Sequence, residues 1–513
     1  PILAALGAPA RPLPPRLAPA FALILFALCF ATASAALPER LWDGLAMHLL
    51  IPTQIAYFGH FPGDARHLAF SFFPLGADHI FAAAFLLGGE AAAKAANWAA
   101  LLALLGLLFA MAREQAGRHA AVLAVLAVLA TPAMLASTAS LFVEPLLGLL
   151  ILGALALLET RGAAARLALL LVLAALPGVK LHGALIALAV GGLALIQRPW
   201  REAGLARLAW PGGAAIALGL VPFAHAWIAT GNPVFPMLNP IFRSPFWPAR
   251  EFADPRWQHG LGPMLPWRLV FHTGAFMECW DGALGFALPL LIPAGLIAAL
   301  LGRDGAPRRV LAVTAFYLLV VFATVQYLRY AVPVFAPLAL LGAQALRGLS
   351  DRRKRRMAEA LVLAAALAGM LAYPTGSWSL ASGDFRALVD PARRAALLLR
   401  DAPVRVAVAV LNRLSGGHPR VLIAADPFGA LLRGHPVYVN WYNPALATAL
   451  AGAPDDAALL RVLGGQHLEY VIGQSDAVDA AARRIAALMA RTARPIARIG
   501  SVAIYRAGGM GGR

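Results

Sequence analysis

Few polar residues interrupt this apolar chain, and their types could together perform group transfer. Asp43 and His48 lie in LWDGLAMHL, Asp78 and His79 in PLGADHIF, and Glu144 in LFVEPLL. Lys180 and His182 lie in PGVKLHG, and Arg329 and Tyr330 in QYLRYAVP. Ionisable residues at the ends of apolar runs are costly to keep there, so each needs a partner or a task. A carboxylate can accept the proton of an attacking hydroxyl. Lysine and arginine can hold a phosphate as a bond to it breaks, most strongly where water is partly excluded. This set is the equipment for moving a group off an anionic lipid carrier.

The elements that must position these residues are read from charge. Short basic loops follow Met111, Glu159, Gln197, Gly302 and Arg347, the last of them carrying Arg352, Arg353, Lys354, Arg355 and Arg356. By the positive-inside rule these loops are cytoplasmic. The pattern predicts about eleven spans, at 18–37, 93–112, 119–136, 142–159, 164–178, 181–197, 208–228, 285–302, 309–326, 330–346 and 357–373. The N-terminus is then cytoplasmic, and the chain after Tyr373 and all nine candidate residues are outward. The first run follows Arg11 and Arg16 and is long enough to cross the hydrocarbon, which favours an uncleaved span over a signal peptide.

Composition agrees: 60% of residues are hydrophobic, 13% are charged and the mean hydropathy is +0.72. The net charge of +18 sits largely in the short loops, where topology and anionic head groups account for it, so nucleic acid is not an expected partner. The two cysteines, Cys29 in the first span and Cys279 in an outward loop, offer no disulfide framework.

Two outward segments are long. The first, 38–92, contains the helix-like run 41–58, expected along the membrane surface, and a second helix at 74–89, read as juxtamembrane because a span there would invert every later loop. The second, 229–284, is rich in proline and aromatic residues, which favours turns over helix. After Tyr373 the hydropathy falls. PRVLIAAD, HPVYVNWY, HLEYVIG and RIGSVAIYRA read as buried strands, with amphipathic helices at DPARRAALLLRD and DAVDAAARRIAALMART. The expected fold is mainly α: a polytopic membrane helix bundle over 1–373 with outward juxtamembrane helices, and an extracytoplasmic α/β domain over 374–513.

Over about residues 18–346 the chain resembles the GT-C superfamily of integral-membrane glycosyltransferases, in particular the branch of the protein O-mannosyltransferases and the aminoarabinose transferase of lipid A. Asp43 in LWDGLAMHL matches the family's acidic residue soon after the first span. FFPLGADHIFAAAFLLGG resembles its second juxtamembrane segment, and Glu144 stands where aspartate is more usual. Lys180 and Gly183 match a lysine-glycine turn, and Arg329, Tyr330 and Pro333 match a late RY-x-x-P segment.

The resemblance implies inverting transfer of a sugar from a polyprenyl-phosphate donor to a lipid, glycan or protein acceptor. It assigns Asp43 as base and Lys180, Arg329 and Tyr330 to the donor phosphate, with His48, Asp78, His79, Glu144 and His182 around the substrates. Some relatives use a divalent metal and others do not, and no acidic pair typical of metal users stands beside Asp43. Residue usage, rich in alanine, arginine and glycine, points to a bacterial inner membrane.

Plainer readings stand beside these: Asp43 and Asp78 as helix-terminal residues, Lys180 snorkelling to the interface, and Tyr330 as an interfacial aromatic. The rival function is a transporter or flippase of lipid-linked substrates. Transporters place ionisable groups near mid-membrane and often carry internal repeats, whereas these charges collect at span ends.

Overall fold

Each of the eleven apolar runs is helical in the computed structural model, which describes residues 15–197, 205–252, 254, 257–276, 280–373 and 384–508. Arg11, Arg198, Arg201 and Cys279 lie outside the described residues, as does the side chain of Arg207. Among the described residues five helices are long and apolar enough to cross a membrane: Pro15–Ala36, Gly76–Ala116, Leu208–Thr230, Gly305–Thr324 and Leu328–Arg347. The pair Arg118–Leu129 and Pro132–Ala139, bent by 65°, makes a sixth if counted as one span. The bend falls where Pro132 follows the end of the first helix. Ala163–Val179, Gly183–Gln197 and Ala287–Leu301 are shorter apolar helices.

The chain divides into two compact units that interleave along the sequence. The first comprises Pro1–Ala36, Lys94–Val221 and Ala253–Gly383, and the second Leu37–Ala93, Pro222–Phe252 and Asp384–Arg513. A single division at Tyr373 is what composition suggests; instead the first outward segment, and the part of the second up to Phe252, belong to the same unit as the C-terminal region. The long run Gly76–Ala116 is two helices broken at Gly88 and Gly89, where Gly89 takes a positive φ of 66°.

In the first unit, one end of the bundle is tied by Arg309, whose Nε and Nη2 each donate to the Glu159 carboxylate at 2.6 Å. Glu159 ends the helix Glu144–Glu159, and Arg309 lies in the first turn or so of Gly305–Thr324. Glu144, Lys180 and Arg329 therefore belong to the opposite ends of these helices, as the charge pattern predicts.

In the second unit five strands form one sheet: β1 (Arg420–Ala424), β2 (His435–Tyr438), β3 (Tyr470–Gln474), β4 (Ala497–Ile499) and β5 (Val502–Arg506). The spatial order is β2-β1-β3-β5-β4, with β1 parallel to β2 and β3, and β5 antiparallel to β3 and β4. The last predicted strand, RIGSVAIYRA, is a hairpin that turns at Gly500 (φ 58°). Helix Pro391–Asp401 starts where expected and Ala480–Thr492 starts four residues into its run, each capped by an aspartate, Asp390 and Asp479, that accepts backbone N–H bonds.

The run 41–58 differs from its expectation. It forms a π-helical turn, Gly44–His48, and the helix Leu50–Phe58, and Leu45, Leu49 and Leu50 are fully buried within protein. The Ala430 N–H donates to the Leu45 carbonyl at 3.0 Å, and Gln54 Nε2 donates to the carbonyls of Leu432 and Gly434. A surface helix would leave those main-chain groups to water; here they form part of the second unit's core.

The same unit holds an ionic tie. Arg405 Nη2 lies 2.5 Å from Glu90 Oε2, and its Nη1 donates to the Glu39 carbonyl at 2.7 Å. Arg405→Met is expected to destabilise this unit by about 3 kcal/mol, because it leaves a largely buried carboxylate without its guanidinium. Thermal unfolding in detergent checks it, with Arg393→Met, a half-exposed surface pair, as the near-neutral control.

Candidate active site

Three separate pieces of the first unit converge on one carboxylate oxygen. Glu144, 1% exposed, opens the helix Glu144–Glu159. Lys180 Nζ donates to its Oε1 at 2.6 Å, and Arg329 Nε lies 3.8 Å from the same atom. The aromatic surroundings also face the cations. Lys180 Nζ sits 4.2 Å from the Tyr330 ring centroid, and the Arg329 guanidinium carbon is 4.2 Å from the Phe142 centroid. The His182 ring packs on Tyr330 at 4.6 Å, and Tyr330 is held in turn by the Tyr317 hydroxyl, which donates to its carbonyl at 2.8 Å.

Local sequence builds this cluster. Pro177 stands in the last turn of Ala163–Val179, and the chain reverses through Lys180, Leu181 and His182, with the Gly183 N–H bonded to the Lys180 carbonyl at 2.7 Å. A Cβ on Gly183 would lie 2.1 Å from the Leu176 carbonyl oxygen, so only glycine permits the turn that presents Lys180. Arg329 is carried on the 3-10 segment Leu328–Val334, which approaches Glu144–Glu159 at Gly148, where a Cβ would meet the Pro333 carbonyl at 3.2 Å.

His182 lies in the turn, outside both flanking helices. Its buried Nδ1 has no hydrogen-bond partner. Such an atom costs roughly 1–3 kcal/mol unless something arrives to bond it.

The remaining candidates lie in the second unit. Asp43 precedes the turn Gly44–His48, and its Oδ1 accepts a hydrogen bond from the Tyr442 hydroxyl at 3.3 Å. Tyr442 is itself set by edge contact with Phe70 at 5.4 Å. His48 Nδ1 and Asp78 Oδ1 are 2.7 Å apart and both buried, which makes them a tie between two helices thirty residues apart in sequence. The exposed His79 donates from Nδ1 to the Leu75 carbonyl at 2.8 Å.

Sequence reasoning singled out neither Phe142 nor Tyr317 nor Tyr442, the residues that place Arg329, Tyr330 and Asp43. Phe142 stands only two residues before Glu144, but aromatic residues in apolar runs read first as core.

Among the described residues no group of three or more His, Cys, Asp or Glu could hold a metal ion. The Tyr442 phenol bonds the Asp43 oxygen, and the proposed step is written without a metal ion.

No family model and no curated protein sequence matches the chain. Solved structures do. The crystal structure of ArnT from Cupriavidus metallidurans bound to undecaprenyl phosphate matches with a TM-score of 0.59 at 17% identity, covering 96% of this chain and 99% of that one. The Archaeoglobus fulgidus oligosaccharyltransferase in complex with Zn and sulfate matches at a TM-score of 0.52 and 14% identity over 88% of this chain and 68% of that one. The arabinofuranosyltransferase AftD from Mycobacteria matches at 0.53 and 16% over 97% and 40%. The apolar bundle and the α/β sheet thus define a polytopic membrane protein. Its fold is that of the GT-C glycosyltransferases.

Lys180→Met is expected to lower stability by about 3 kcal/mol, because Glu144 loses its nearer cation. Adding Glu144→Gln to that variant is expected to restore most of the loss. Thermal unfolding of the two variants and of Glu144→Gln alone measures the coupling.

Proposed function

We propose that this protein is an inverting glycosyltransferase that moves a sugar from a polyprenyl-phosphate donor to an acceptor hydroxyl at the outer face of a bacterial inner membrane. The observation that carries this reading is the convergence of Lys180 and Arg329 on one oxygen of the buried Glu144, at the helix ends opposite the basic loops. A lysine hydrogen-bonded to a carboxylate and an arginine ion-paired with it can turn toward a phosphate without being desolvated anew. The aromatic faces of Tyr330 and Phe142 and the unbonded Nδ1 of His182 complete the surroundings for a phosphate-linked sugar. The match to ArnT in its undecaprenyl phosphate complex supports the same reading.

In the proposed step the acceptor oxygen forms a bond to the anomeric carbon while the bond from that carbon to the phosphate oxygen breaks. The bonding pair leaves with the polyprenyl phosphate, whose charge Lys180 and Arg329 stabilise. The acceptor proton passes to the Asp43 carboxylate, kept in place by the Tyr442 hydroxyl. A single displacement of this kind inverts the anomeric configuration.

The test is transfer of radiolabelled sugar from polyprenyl-phosphate donors into native membranes by purified protein. Asp43→Asn is expected to lower kcat by about a hundredfold or more while leaving donor KM within a few fold. Arg329→Met is expected to raise donor KM by about tenfold or more. EDTA is expected to leave the rate unchanged. Donor binding without transfer by the wild type would replace the enzyme with a transporter of lipid-linked substrates. Unimpaired Asp43→Asn would remove that residue as the base.

A further inference from the structure

A cavity of about 530 Å³ opens within the second unit, on surfaces that the donor chemistry does not use. Its lining includes Pro245 and Phe246 from the proline-aromatic segment, the amides Asn443 and Gln466, and Arg66 and His67. We propose that this cavity binds a carbohydrate portion of the acceptor, a reading that rests on the glycosyltransferase function above.

The wall is built in advance. Prolines in the segment 232–248 remove main-chain donors and leave carbonyls to be satisfied, and two buried asparagines do much of this. Asn239 Nδ2 donates to the carbonyls of Ser244, Trp247 and Pro248, while its Oδ1 accepts from the Ser244 N–H at 2.9 Å. Asn232 Nδ2 donates to the Met237 carbonyl at 2.9 Å. Phe235 and Trp247 pack with Ala65 and Ala69 beneath. Phe246 thus stands on an ordered loop, with the Arg66 guanidinium 5.8 Å from its ring centroid.

The polar groups select the ligand. Asn443 is 1% exposed; its Oδ1 accepts from the Leu446 N–H, which fixes the side chain, and its Nδ2 has no hydrogen-bond partner. That is a buried donor without a partner, on a residue that lines the cavity. His67 is already engaged on both nitrogens. An arginine can only donate, so His67 Nε2 accepts from Arg420 at 2.9 Å, and Nδ1–H donates to Asp64, whose pKa this bond holds below the usual carboxylate value. Arg66 is the single arginine or lysine among the described lining residues.

A lining that combines an aromatic ring, two amides and one guanidinium suits a sugar, with its apolar C–H face and hydroxyl rim. The volume lies within the range of small-molecule sites, about 300–1,000 Å³. Among the described residues none that lines the cavity belongs to a strand.

The experiment uses the full-length protein, a labelled polyprenyl-phosphate sugar and graded amounts of native membrane fraction as acceptor. Asn443→Asp keeps the oxygen that caps the helix and replaces the donor, and Ala449→Trp fills the cavity from an exposed position on its wall. Both are expected to raise the apparent KM for acceptor by about tenfold, with donor KM unchanged. Label is expected in protease-resistant glycan, extractable into organic solvent if the glycan is lipid-borne and water-soluble if it is a polysaccharide. Unchanged acceptor KM in both variants, or label on protein or on a lipid without sugar, overturns the inference and leaves the transferase reading standing. Absence of transfer by the wild type overturns that reading and this one with it.

Discussion

A carboxylate buried at the end of an apolar bundle survives only if cations come to it, and Glu144 imposes that condition on the first unit. It draws Lys180 from a glycine-dependent turn and Arg329 from a 3-10 segment. Both arrive with an aromatic face beneath their charge. The turn requires Gly183, the 3-10 segment requires the close approach at Gly148, and Tyr330 requires the buried Tyr317. Charge, helix termination and packing thus have one common solution, and it brings lysine and arginine to the same carboxylate oxygen.

The second unit meets a different constraint. Its segments come from three distant stretches of chain, and main-chain groups in each must find partners once water is excluded. Gln54 satisfies two carbonyls of the C-terminal region, and Asn239 satisfies three of the proline loop. Arg405 joins Glu90 to the Glu39 carbonyl. These polar ties, more than the small sheet, account for the order of the segments that carry Asp43 and Phe246.

Much of this was legible in the sequence because it follows from periodicity and charge. The apolar runs became helices, and the basic loops placed Glu144, Lys180 and Arg329 at one set of helix ends. Three of the four strand runs are single strands, while the fourth is a hairpin because Gly500 adopts a conformation that a one-dimensional pattern does not reveal. The burial of 41–58 escaped notice for a related reason: an amphipathic stripe looks the same whether it covers lipid or protein. His48 and Asp78 were noticed one by one as chemical groups, and only the fold makes them partners. Tyr442 and Phe142 carried no signal beyond that of ordinary core aromatics.

The central claim is that Lys180 and Arg329 recognise a lipid-borne phosphate. Affinities of the purified wild type and Lys180→Met for undecaprenyl phosphate and for uncharged undecaprenol, measured in the same detergent, test it most directly. The account expects the phosphate to improve wild-type affinity by about tenfold or more, and this preference to collapse in a folded Lys180→Met protein. An equal preference in both proteins, or none in the wild type, would contradict it.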